Sequence, residues 1–239
     1  MSRSNNTEFP NPSLRFYRWD GEYGGFTYFD KNIGEGGVRV KIELPFTFMV
    51  LDALSTIKGF SDAEQSGYWS NEVRDIKRDI LTVRTKAGIQ AKGTYDEIKG
   101  SGFCGGAKFC QSVYIADKIN GKLEICNIQM VGSALSAWIN FRKKNNVYSG
   151  AVVVSGQKEG KKGKTIYQIP IFEKSDVSSE TDSEAKNLDT ILQVYLKSYF
   201  GKTQDAIAQV HAEDKAEPLP NENSFPEVPP DDRDDSLPF

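Results

Sequence analysis

A chain of 239 residues with 38% hydrophobic and 11% aromatic content can fill a core, which excludes a wholly disordered protein. The net charge of −3 hides a division: residues 212–239 carry nine acidic and two basic residues, a net of −7, while residues 1–211 hold 28 basic and 24 acidic ones, a net of +4. A mildly basic body on an acidic tail points to nucleic acid or a charged partner.

Residues 1–13 read as a disordered arm, polar and punctuated by Pro10 and Pro12. They lack the apolar stretch of a signal peptide, and no apolar run approaches the ~20 residues that a bilayer requires. The expectation is a cytoplasmic protein, in the host cytoplasm if viral. In residues 14–30 the rings Phe16, Tyr17, Trp19, Tyr23, Phe26, Tyr28 and Phe29 alternate with Gly21, Gly24 and Gly25, a pattern of short strands and turns. Residues 38–44 alternate cleanly, and after Pro45 a second, apolar strand covers 46–51. Residues 53–58 continue as strand or turn, and 61–71 read as an exposed loop that carries Tyr68 and Trp69.

Strands follow at 80–85 and 89–92, turning at Ala87-Gly88, and then a Gly-rich loop over 102–106. Residues 113–116 and 123–128 are strands joined by Asn120-Gly121, a strong hairpin signal. Over 132–144 the period becomes helical, with Leu135, Trp138, Ile139 and Arg142 in phase. Strands return at 151–154 and 166–169 around a basic loop, 156–164. A polar hinge over 175–183 leads to a helix opened by a Thr181-x-x-Glu184 capping box and stopped by Gly201, with a short turn reaching His211. The sum is mainly β: about eight to ten strands in an antiparallel barrel with loop insertions, one internal helix and a C-terminal helix. An OB-type barrel fits best and a β-sandwich is the alternative. The organisation is an arm (1–13), an OB-fold-like body (14–211) and a disordered acidic tail (212–239).

Catalytic readings fall on chemistry. His211 is the one histidine and adjoins the tail, so no Ser-His-Asp or Cys-His arrangement forms in the body. Cys104, Cys110 and Cys126 contain no CxxC pair and do not make a zinc set; buried thiols are the plainer reading. Gly163-Lys164-Thr165 imitates the end of a phosphate-binding loop, but Lys158 stands where the first glycine belongs and a strand follows. Asp75 and Asp79 lie beside Arg74, Lys77 and Arg78 as a solvated charged face. No enzyme, cofactor or metal is expected.

Binding has more material. Tyr68 and Trp69 precede Arg74, Lys77 and Arg78; Arg84 and Lys86 share a hairpin with Lys92, and Tyr95 follows; Lys108, Phe109 and Tyr114 flank the Gly-rich loop. Sequence-neutral binding of single strands needs positive charge for phosphates and ring faces for bases, and these residues supply both.

The end of the chain carries a resemblance. Asp231-Asp232-Arg233-Asp234-Asp235-Ser236-Leu237-Pro238-Phe239 resembles the C-terminal tip of bacterial and phage single-stranded DNA-binding proteins, and the layout of barrel, helix and acidic tail is similar to the phage members. The resemblance implies an OB fold and coating of single-stranded DNA in replication, recombination and repair. It also implies self-association, and recruitment of replication or repair proteins (polymerase, helicase or primase) through Asp234, Asp235, Leu237, Pro238 and Phe239. The Pro-rich tail and Arg233 depart from the bacterial pattern. Physically, an apolar tip on acidic residues suits a pocket with a basic rim, and the same tail can compete with DNA for a basic groove. A phage scaffold or adaptor tethered by its tail, and a strand-annealing recombination protein, stay open as alternatives.

Overall fold

The aromatic–glycine stretch folds as β1 (Phe16–Asp20) and β2 (Gly25–Asp30), followed by β3 (Val38–Lys41). The structure, a computed structural model, describes residues 10–61, 65–101 and 107–213, with backbone alone at 61 and 202–213. The arm's first nine residues, the loop 102–106 with Cys104, and the tail from 214 onward, including its Leu-Pro-Phe tip, lie outside the described residues.

After Pro45 the chain enters β4 (Phe46–Ser61), a single strand of 16 residues that absorbs both the apolar run and residues 53–58. The expected loop at 61–71 is instead largely a strand, β5 (Ser66–Ser70), paired with the end of β4. Its serines read as loop polarity but are buried strand residues. The Ser70 hydroxyl accepts from the Ile57 amide at 2.8 Å and donates to the Asn71 carbonyl at 2.8 Å, so little desolvation cost remains. Next come β6 (Leu81–Thr85), β7 (Gly88–Gly93) and α1 (Tyr95–Gly100), a helix not anticipated from periodicity because it is six residues long. Thr94 and Glu97 form its capping box.

The β8 (Ala107–Ile119) and β9 (Lys122–Met130) strands form the hairpin predicted at Asn120-Gly121, both residues having positive φ. Then follow α2 (Gly132–Lys144), β10 (Ala151–Lys162), β11 (Thr165–Ser175) and α3 (Ser179–Glu213). The start of α3 differs from expectation. The Ser178 hydroxyl accepts from the Thr181 amide at 3.2 Å, so Ser178 is the cap and Thr181 sits inside the first turn. The helix also runs through Gly201, a glycine cost of about 1 kcal/mol that a 35-residue helix absorbs.

The strands make one mixed sheet in the order β3-β2-β1-β9-β8-β4-β5-β6-β7, with β10 and β11 branching from β4. The wholly antiparallel barrel of the sequence reading is therefore corrected: β1 runs parallel to β9. The ladder admits this because the two strands lie more than a hundred residues apart in sequence, ample length for the crossover a parallel pair needs. β4 organises the rest. Phe46–Phe48 pair with β10 and Met49–Gly59 with β8, and the β8 ladder has a register shift between Val50 and Asp52, a bulge of the kind that bends a strand. The β10–β11 hairpin curls back to the end of β1, where the Trp19 indole donates to the Gln168 carbonyl at 2.9 Å and the Gln168 amide donates to the Gly21 carbonyl at 2.6 Å.

The main core fills this curl with Tyr17, Trp19, Phe26, Phe46, Phe48, Ile115, Ile128 and Val152. α2 lays Trp138 against Phe48 and Phe172, at centroid distances of 6.4 and 5.3 Å. A second cluster, Ile57, Tyr68, Val73, Leu81, Val83 and Ile98, lies under the β4–β7 end of the sheet. The chain divides into two compact units, Met1–Ser198 and Tyr199–Phe239, so the division falls within α3. In the second unit the Tyr199 and Phe200 rings meet edge-on at 5.4 Å.

Candidate functional site

Antiparallel register decides which side chains share a face, since directly opposed residues point the same way. Four successive ladders align one residue each: Lys108 of β8 opposes Lys58 of β4, Lys58 opposes Trp69 of β5, Trp69 opposes Arg84 of β6, and Arg84 opposes Ile89 of β7. With strands about 4.8 Å apart, the row extends about 19 Å across the sheet. Two residues along the same strands, Phe60 joins it at one end, and Lys92, opposite Thr82, joins it at the other. Trp69 is 39% exposed and Phe60 49%, so both offer ring surface to solvent. Among the described residues, Lys58, Arg84, Lys92 and Lys108 take part in no ion pair, and their charge is unopposed by a contacting carboxylate.

The opposite face of the same strands holds the second core, which fixes the row from beneath. Tyr68 alternates with Trp69 and packs with Ile57 and Val83, so the inner ring anchors the strand that presents the outer one. Farther along the presenting face, the β4–β8 pairs Asp52–Tyr114, Leu54–Ser112 and Thr56–Cys110 are all buried. α3 is tied down over that stretch, where the Asp52 carboxylate accepts from the Gln193 amide at 3.1 Å and from Arg74 at 3.1 Å. The face opens to solvent at the next pair, Lys58–Lys108.

The twelve residues expected to bind separate accordingly. Trp69, Arg84, Lys92 and Lys108 lie on the presented face, with Lys86 two positions beyond Arg84 at the β6–β7 turn. Tyr68 is core, and Tyr114 is fully buried with its hydroxyl donating to Glu72 at 2.7 Å. Burial and the neighbouring Glu72 carboxylate hold the Tyr114 hydroxyl well above the ordinary phenol range, so it stays protonated. Tyr95 and Phe109 meet edge-on at 5.7 Å on the inner side of the sheet. Arg74 is committed to Asp52, and Arg78 pairs with Asp75 at 3.6 Å. Lys77 sits exposed on the same acid-bearing turn, where the Asp79 carboxylate accepts from the Arg74 and Asp75 amides.

Sequence reasoning missed Lys58 and Phe60. The signal was the short-range alternation Lys58-Gly59-Phe60 placed against Gly67-Tyr68-Trp69, which becomes readable only once β4 and β5 are known to pair, from Lys58 opposite Trp69 to Ser61 opposite Ser66. Cys110 and Cys126 are free and buried, in line with the inert-thiol reading. Among the described residues no group of three or more His, Cys, Asp or Glu is placed to hold a metal ion, and no helix is long and apolar enough to cross a membrane. No family model, curated protein or solved structure matches this chain.

Proposed function

We propose that this protein binds and coats single-stranded DNA without sequence preference, and that the Lys108–Lys58–Trp69–Arg84 row is where the strand lies. The observation that carries the reading is the order along that row: charge, charge, ring, charge, on one face with a core behind it. Phosphates need the cations and bases need the ring, and each stacked base contributes about 1–3 kcal/mol whatever its identity. The row would engage only a few nucleotides, within the ~4–16 that single OB-type modules occupy.

We read the body as OB-type. β4, β8, β9, β10 and β11 supply five strands, β4 pairs with both β8 and β10, and α2 lies between β9 and β10. In this reading β1 to β3 are an N-terminal extension of the sheet, and β5, β6, β7 and α1 are an insertion between β4 and β8. Through the acidic tail the protein recruits replication, recombination or repair enzymes, with Leu237, Pro238 and Phe239 as the docking tip.

Fluorescence tests the site directly. Of the three tryptophans, Trp19 and Trp138 are buried in the main core and Trp69 is exposed, so quenching by oligo(dT) reports on Trp69. The expected result is saturable quenching that Trp69→Phe abolishes while binding persists. A saturating titration with neither quenching nor a mobility shift would contradict the proposal.

A further inference from the structure

Beyond Gly156, β10 leaves β4 and pairs with β11 alone, so the last part of the hairpin is a two-stranded ribbon. It carries Lys158, Lys161, Lys162 and Lys164 against one acid, Glu159. Its turn is Gly163-Lys164, with Gly163 at φ +60°, and the strand resumes at Thr165. The phosphate-loop look-alike is thus a hairpin tip.

The ribbon is braced. Its base is held by the Trp19 and Gly21 hydrogen bonds to Gln168, and the Gln157 amide packs so closely on Gly24 that a Cβ there would sit 1.7 Å from its oxygen. Midway, Gly160 opposes Tyr167, and a Cβ at Gly160 would meet that ring at 2.6 Å. The ring therefore lies on the glycine, a cross-strand support that stiffens the ribbon and occupies its one aromatic. At the tip, the large apolar residue is aliphatic: Ile166, 55% exposed.

We propose that this ribbon enters the major groove of duplex DNA, giving the protein a second nucleic-acid contact distinct from the Trp69 face. Three features favour a duplex over a single strand. No free ring is available for stacking. The lysines point both ways, because Lys158 and Lys162 share one face by strand alternation and Lys161 takes the other, with Lys164 in the turn. Cations on both faces suit a groove walled by two phosphate chains, whereas a single strand would meet only one. Dimensions agree as well: a two-stranded ribbon with its side chains is about 10 Å thick, which a major groove about 12 Å wide admits and a minor groove about 6 Å wide does not. Above the Gln168 anchor, which opposes Glu159, the free ribbon runs from Gly160 to the turn at Gly163, about 10 Å, enough to reach a floor about 8.5 Å deep. A protein holding a single strand on one surface and a duplex on another is suited to junctions between the two.

The test uses the full chain, a labelled blunt 20-base-pair duplex and labelled (dT)20, with anisotropy read over a salt series. Wild type is expected to bind the duplex. Combining Lys161→Ala, Lys162→Ala and Lys164→Ala should weaken duplex binding roughly tenfold or more and reduce the slope of log affinity against log salt by about 2.7, while (dT)20 affinity changes less than about twofold. Gly160→Val keeps every charge but removes the seat of Tyr167, and should also weaken duplex binding selectively; unaltered circular dichroism guards against misfolding. The inference is overturned if wild type does not bind the duplex at low salt, if the triple variant binds it as wild type does, or if both variants lose (dT)20 equally. It is also overturned if the lysines serve anionic phospholipid vesicles and not the duplex. It does not rest on the Trp69 proposal: loss of (dT)20 binding by wild type with retained, ribbon-dependent duplex binding would reject that proposal and keep this one.

Discussion

At the scale of single residues, Trp69 and Tyr68 show how one backbone step separates a candidate contact from a core anchor. Both are aromatic, adjacent and flanked by glycine and serine, so composition treats them alike; strand alternation sends one outward and the other into the second core. Trp69→Ala should therefore weaken oligo(dT) binding by about 1–3 kcal/mol if one base stacks there, roughly five- to 150-fold, with no loss of thermal stability beyond about 0.5 kcal/mol. Tyr68→Ala should do the reverse, costing about 3–5 kcal/mol of stability as other large-to-small core changes do. Denaturant titration beside a binding isotherm separates the two. Buried ionisable groups make a second prediction. Burial pushes the Cys110 thiol up to about 12 and the Cys126 thiol up to about 11, and raises the Tyr17 hydroxyl, which donates to Asp117. In the unfolded chain these thiols lose their protons near 9 and the phenol near 10. The native state thus binds protons more tightly, so the stability these groups contribute is complete below about pH 9. It falls through pH 9–12 by about 1.4 kcal/mol per pH unit for each group in its window. Melting temperatures measured from pH 7 to 11 should stay level and then drop, and Cys110→Ser should lessen the drop.

Among elements, β4 and α3 decide where the presented face begins. The same side of β4 passes from Asp52, Leu54 and Thr56, all buried, to Lys58 and Phe60 in solvent. The cover is secured by Asp52, which gathers Arg74, Gln193 and the Ala53 amide. Asp52→Ala should cost about 1–3 kcal/mol, because it orphans partly buried donors, and should loosen α3 more than the sheet; hydrogen exchange of 179–198 against β8 amides tests this. Much at this scale was legible. The Asn120-Gly121 hairpin and α2 are written locally, one in turn chemistry and the other in a clean helical period. What was not legible is non-local. The continuity of β4 depends on partners at both its ends, and β5 hides its serines by pairing them with backbone groups supplied from β4 and from Lys86 in the β6–β7 turn. The parallel β1–β9 pair joins segments over a hundred residues apart, which no short-range pattern encodes. The same limit applied to the site. Trp69, Arg84, Lys92 and Lys108 could be chosen by type, but Lys58 and Phe60 belong with them only through cross-strand register.

For the whole molecule, the division of charge is the organising fact: a net of +4 over residues 1–211 and −7 over 212–239. A body that binds a polyanion gains from its own cations, and a polyanionic segment on the same chain opposes that gain. Deleting residues 224–239 should accordingly tighten oligo(dT) binding at low salt while leaving the melting temperature unchanged, and the difference should shrink as salt is raised. The central claim is that a single strand lies along the Lys108–Lys58–Trp69–Arg84 row, and its most direct test is a tryptophan-quenching titration with (dT)20 over a salt series. The account predicts saturable quenching in wild type. Log affinity should fall linearly with log salt, with a slope smaller by about 2 when Lys58, Arg84 and Lys108 are all changed to alanine, each cation releasing about 0.7 of a counterion from a single strand. An unchanged slope in the triple variant, or strong binding that leaves Trp69 fluorescence untouched, would place the strand elsewhere and contradict the account.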